Sequence, residues 1–148
     1  DGLVSGLGLR SRKDAGTLAR GARAAVDAGP RRIVWLGAAG TGPSAKAVSG
    51  IIHSLLRLAF GPEYGDKVAA DPIILEAGGV VVHSGPLGDG EDAPAATLTP
   101  LAEAARQFFP AGAPRASIAR LMLDLVESPE IPANLLLVSP RKPPKDAA

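Results

Sequence analysis

The stretch Arg31-Arg32-Ile33-Val34-Trp35-Leu36-Gly37-Ala38-Ala39-Gly40 constrains this chain more than any other. It is a short apolar run rich in branched and aromatic side chains, entered through Gly29-Pro30 and left through small residues. That is the pattern of a buried strand. In an open parallel sheet, ligands collect beyond the carboxyl ends of the strands, where Gly or Ala lets a flat group approach the backbone. A binding site is therefore expected to begin at Gly37, with Ala38 and Ala39 extending its ledge.

The flanking segments agree with an α/β arrangement. Asp1 to Gly8 has a short apolar centre and a glycine-rich exit, which fits a strand feeding a loop. Ser11-Arg12-Lys13-Asp14 offers capping chemistry, and Leu18, Ala22, Ala25 and Val26 recur at helical spacing until Gly29-Pro30 ends the pattern. Strand, helix, strand is the crossover unit of parallel sheets. A second helix is expected to carry Val48, Ile51, Ile52, Leu55, Leu56 and Ala59 on one face, with Lys46, Gly50, His53 and Arg57 opposite. A third begins near Glu63, and Pro72 predicts a kink or restart with Asp71 as its cap. Gly78 to His83 reads as a strand and Ser84 to Pro94 as a loop. Thr97 to Thr99 is extended, Pro100 to Gln107 a brief helix, Arg115 onward the clearest amphipathic helix, and Asn134 to Ser139 a last strand. The tail, 140–148, is expected to be mobile.

Bulk properties narrow the function. At 148 residues the chain is one domain by length. Sixteen basic and fifteen acidic residues leave a net charge of +1, which argues against nucleic acid or an acidic membrane as partner. No cysteine is present, so disulfides, thiolate metal sites and a cysteine nucleophile are excluded, and a reducing cytoplasm is compatible. His53 and Arg57 interrupt the most apolar long segment, 47–60, which is therefore not a membrane span. Two separated histidines without a ligand-spaced carboxylate predict no metal site.

Five blocks, in order, resemble the atypical short-chain dehydrogenase/reductase proteins, the NAD(P)H-binding group with flavin-reductase-like members. Arg31 to Gly40 resembles that family's central strand, and Asp1 to Gly8 its fourth strand. Asp66-Lys67-Val68-Ala69 resembles the start of its helix with an Asp-Lys pair, Val80 to Gly90 its next strand and Gly-Pro loop, and Arg115 to Ala119 its late helix. The resemblance implies a Rossmann-like parallel sheet flanked by helices over 1–139, an NADP or NAD cofactor, and hydride transfer to a small carbonyl, quinone or flavin-like acceptor. The family's opening glycine-rich turn, which seats the pyrophosphate at a helix N-terminus, has no counterpart here. The first βαβ region is accordingly expected upstream, making this chain the C-terminal portion of the domain. The alternative readings are a non-catalytic, redox-sensing NAD(P)H-binding module and a fragment that does not bind alone. Homo-oligomer formation is left open.

Site residues follow from the resemblance. Lys67 is placed at the nicotinamide ribose, its alternative being a solvated helix lysine. Tyr64 is a candidate proton donor, although it stands one position closer to Lys67 than the family's Tyr-Lys pair requires. Gly37, Ala38 and Ala39 fall where the family's strands commonly end in serines. Alanine leaves room for a nicotinamide but cannot donate a proton, which weakens a Ser-Tyr-Lys mechanism. Ser84, Gly85 and Pro86 form the cofactor loop, and Gly6 and Gly8 a second glycine-bearing loop. His83, at a strand exit, is a candidate substrate contact or a satisfied core-edge residue. His53 is expected to be solvated, Ser44 to cap a helix, and Arg10, Arg12 and Lys13 to form a solvated basic loop or to touch an adenylate phosphate.

Overall fold

Side chains alternate across β2 (Arg32–Ala38), and that alternation builds two layers. Ile33 and Trp35 face one side and Val34 the other, all nearly inaccessible. The computed structural model describes residues 1–9, 11–90 and 96–140. Arg10 of the basic loop and the tail from 141 onward lie outside them, and Pro140 closes the last strand. Beside β2 run β1 (Gly2–Ser5) and β3 (Val80–Ser84), followed by β7 (Leu135–Pro140) and β5 (Ala96–Pro100). The sheet order is β1-β2-β3-β7-β5, with the first four strands parallel and β5 antiparallel to β7. A two-residue ladder joins β4 (Leu87–Gly88) to β6 (Ala113–Pro114), within a region that the sequence reads as loop.

One face packs Ile33, Trp35 and Val81 against Leu18, Ala22 and Ala25 of α1 (Thr17–Asp27) and against Ala70 and Ile74 of α3 (Pro62–Glu76). The other packs Val34, Val82, Leu136 and Val138 against Ile118, Met122 and Leu125 of α4 (Arg115–Glu127). Burial of apolar surface on both faces is what holds such a sheet. Two long-range side chains complete helix ends. The Asp66 carboxylate of α3 accepts the Leu18 and Ala19 amides at 2.9 and 3.1 Å, at the start of α1. The Arg32 guanidinium donates to the Leu125 carbonyl at 2.9 Å and to Ser128, at the end of α4. Each charge complements the helix dipole it meets.

Several expectations need correction. The Ser11 and Asp14 capping box exists but closes a 3-10 turn, Arg12–Asp14, while α1 starts later behind Gly16. Helix α3 runs through Pro72 without a restart. Pro72 itself is exposed, and Ala70 and Ile74 on the inner face are fully buried. Packing therefore outweighs the missing hydrogen bond and ring clash, a cost of about 3 kcal/mol. Asp71 is consequently an interior helix residue and not a cap. Val48 precedes α2 (Gly50–Phe60), in extended backbone after the 3-10 turn Gly42–Ala47. The anticipated buried face of α2 is largely uncovered, with Ile51, Leu55 and Ala59 exposed and Ile52 and Leu56 only half-buried. The segment after Pro100 makes only one 3-10 turn, Leu101–Glu103. It then extends so that the Gln107 amide reaches the Ala47 carbonyl at 2.7 Å.

Candidate functional site

The carboxyl ends of β1, β2 and β3 open on a predominantly apolar cavity of about 440 Å³. Gly37, Ala38 and Ala39 form its floor, and Gly6 and Gly8 border it from the β1 exit. Ser84, Gly85 and Pro86 supply a third side, and Lys67 reaches it from α3. Register explains the juxtaposition. Gly37 pairs with His83 and Ala38 with Ser84, so the two strand exits end level with one another. Leu56 and Phe60 of α2, together with Trp35, Phe109 and Pro110, add apolar lining.

Of the glycines that border the cavity, Gly37 and Gly85 are required by close approach. A Cβ on Gly37 would sit 2.5 Å from His83 Cδ2 and 2.8 Å from Nε2. The bare Cα therefore admits the His83 ring under the ledge. A Cβ on Gly85 would meet the carbonyl oxygens of Pro110 and Ala111 at 2.5 and 2.6 Å. Its absence lets the 84–86 loop lie on the 110–111 segment, where the Gly85 amide donates to Ala111 at 3.0 Å.

Tyr64 and His83 do not border the cavity. The Tyr64 hydroxyl is 2.9 Å from His53 Nε2, and the Arg57 guanidinium lies 5.8 Å from the Tyr64 ring centre. Tyr64 thus ties α3 to α2, and His53, expected to be solvated, is its partner. His83 corrects the expectation of a substrate contact, because it is fully buried and both ring nitrogens meet protein atoms. Its Nδ1 is 2.6 Å from Ser44 Oγ and its Nε2 2.8 Å from Asp71 Oδ2. Ser44 caps no helix. Its hydroxyl accepts the Gly40 amide at 2.9 Å and donates to the Thr41 carbonyl at 3.0 Å, which shapes the loop after β2.

Asp71 is the site residue that the sequence reading missed. It is buried and lines the cavity beside Gly37. The available signal is spacing, since Lys67 and Asp71 stand one helical turn apart and share a face. The Lys67 ammonium rests 5.3 Å from the Phe60 ring centre. Among the described residues, Ser84 Oγ is the one buried side-chain polar atom with no hydrogen-bond partner. An unmade hydrogen bond of this kind costs about 1–3 kcal/mol.

Solved structures provide the comparison. ChuY, an anaerobillin reductase from Escherichia coli O157:H7, superposes with a TM-score of 0.71 at 19% identity, covering 96% of this chain and 66% of that one. A wide-type short-chain dehydrogenase/reductase from Veillonella parvula, solved with NADP, gives 0.65 at 14% identity and 97% and 62% coverage. This chain shares their Rossmann-like fold. A candidate NADH-flavin reductase from Streptococcus pneumoniae gives 0.70 at 14% identity, covering 95% and 72%. The chain thus spans about two thirds of the length of these proteins. No family model and no curated protein matches it. No helix among the described residues is long and apolar enough to cross a membrane.

Proposed function

We propose that this chain forms the nicotinamide-side portion of an NAD(P)H-dependent reductase acting on a small carbonyl, quinone or flavin-like acceptor. The observation that carries the reading is the apolar cavity at the carboxyl ends of parallel strands, lined by a loop whose Ser84 hydroxyl is buried and unpartnered. A nicotinamide is flat and has a carboxamide that can satisfy such a hydroxyl. The Gly37 to Ala39 ledge would take the ring, Ser84 the carboxamide, and Lys67 a ribose hydroxyl. When bound, the reduced nicotinamide supplies a hydride. The protein excludes water from the ring through Leu56, Phe60 and Phe109.

The pyrophosphate is not accommodated at the start of α1, because the Asp66 carboxylate already accepts the free amides there. Ala38 and Ala39 at the ledge and the engagement of Tyr64 by His53 favour the second reading, a redox-sensing module that binds NAD(P)H without turnover. Titration with NADPH and NADH, followed by fluorescence of the buried Trp35 at the cavity wall, tests binding. Saturable quenching at micromolar cofactor is expected, and no response at millimolar cofactor from a cooperatively melting chain removes both readings. Turnover of a quinone panel separates enzyme from sensor.

A further inference from the structure

In a cavity lined mostly by apolar side chains, each polar atom decides which ligand groups fit. Asp71 borders this cavity, whereas His83 and Ser44 do not. Its Oδ2 turns to His83 Nε2 at 2.8 Å, which leaves Oδ1 as the oxygen on the ledge side. A Cβ on Gly37 would lie 3.1 Å from that oxygen. Resting on the cofactor-binding reading above, we infer that Asp71 Oδ1 accepts a hydrogen bond from the carboxamide N–H of the nicotinamide and so selects the dinucleotide by its amide nitrogen.

Oδ1 takes no hydrogen bond among the described residues. The proton of the Asp71–His83 contact lies between Oδ2 and Nε2 whichever residue holds it. Oδ1 therefore presents lone pairs alone and calls for a donor. Lys67, one helical turn away on the same face, would be the internal donor. Its ammonium instead stands 5.3 Å from the Phe60 ring centre and pairs with no carboxylate among the described residues. The Asp71 carboxyl is also fixed in place. His83 Nδ1 is 2.6 Å from Ser44 Oγ, and the Gly40 amide donates to that same oxygen at 2.9 Å. An acceptor held by such a chain of contacts does not turn away to find another partner, which is what makes it selective.

The ledge decides which donor. A nicotinamide seated on Gly37 to Ala39 has N–H groups only in its carboxamide, so from the ring that group alone answers Oδ1. The ribose hydroxyls fall to Lys67, one turn earlier in α3, and the carboxamide oxygen to Ser84. An N–H···O bond in apolar surroundings is stronger than in water, and an acceptor left unmet there is costly. An analogue without the N–H is penalised on both counts. Half a turn of the ring about its glycosidic bond carries the carboxamide away from Oδ1, so the same contact offers one face of the ring to the acceptor.

Calorimetric titration of the chain with NAD+ and NADP+, each beside its analogue in which 3-acetylpyridine replaces nicotinamide, tests the assignment. The analogue keeps the carbonyl and the pyridinium charge and exchanges the amino group for a methyl, so the comparison isolates the donor. The wild type is expected to bind the analogue about tenfold to a hundredfold more weakly than the parent dinucleotide. Asp71→Asn keeps an oxygen for His83 and turns an amide donor to the ledge. Its preference is expected to shrink to within about threefold, whereas a merely structural role would weaken both ligands alike and leave their ratio unchanged. Equal affinities in the wild type, a result that needs no variant, overturn the assignment. An unchanged ratio in a cooperatively melting Asp71→Asn does so too, and either outcome leaves cofactor binding standing. Failure of the wild type to bind either dinucleotide overturns both.

Discussion

At the scale of single residues, Ser84 separates stability from binding. Its hydroxyl is buried without a partner, so Ser84→Ala removes an unsatisfied group. We expect the variant to be as stable as the wild type or more stable by about 1 kcal/mol, measured by urea denaturation. Its NADPH affinity should fall by about fivefold to tenfold, the loss of one hydrogen bond. A parallel drop in both quantities would mean that the hydroxyl supports the fold. Gly37 works in the opposite sense. Gly37→Ala drives a methyl group into the His83 ring and should cost about 1–3 kcal/mol through overpacking, read as a lower melting temperature. Glycine at 37 was legible as a place of close approach, but its intimate neighbour was not. The sequence suggests a ligand above the ledge, whereas the nearer body is a histidine from the adjacent strand, fixed by a register that no local pattern reveals.

At the scale of elements, helix ends are completed by residues remote in sequence. Asp66→Ala leaves the Leu18 and Ala19 amides without their acceptor. It should cost about 1–2 kcal/mol, as loss of an N-cap does, with faster hydrogen exchange at those two amides. Pro72→Ala restores a main-chain donor in a helix that already runs through that position, so stability should rise, by up to about 3 kcal/mol. A fall would show that the proline ring makes contacts of its own. The same elements mark what periodicity can reveal. The strands 32–38 and 80–84 and helix α4 were visible because their apolar patterns match their burial. The continuous α3 was not, because Pro72 is a strong local breaker and the packing of Ala70 and Ile74 that overrides it is tertiary. The apolar face of α2 misled in the other direction, since spacing reports a hydrophobic stripe whether or not anything covers it.

For the molecule as a whole, burial is concentrated around the sheet and thins toward α2. Ile74→Ala, in the fully buried layer between α3 and the sheet, should cost about 2–5 kcal/mol. Leu58→Glu, on the open face of α2, should change stability by less than about 0.5 kcal/mol. A denaturation comparison of the two variants tests that division. Helix α3 binds the parts together. It holds α1 through Asp66, α2 through Tyr64 and His53, and β3 through Asp71 and His83. Its Lys67 and Asp71 also stand in the cavity wall. Any axial slip or loosening of this one rod is therefore felt at three places together. A guest that steadies Lys67 and Asp71 should accordingly quieten the Leu18 and Ala19 amides that Asp66 holds, making the start of α1, whose Leu18 also borders the cavity, a gauge of whether the cavity is filled.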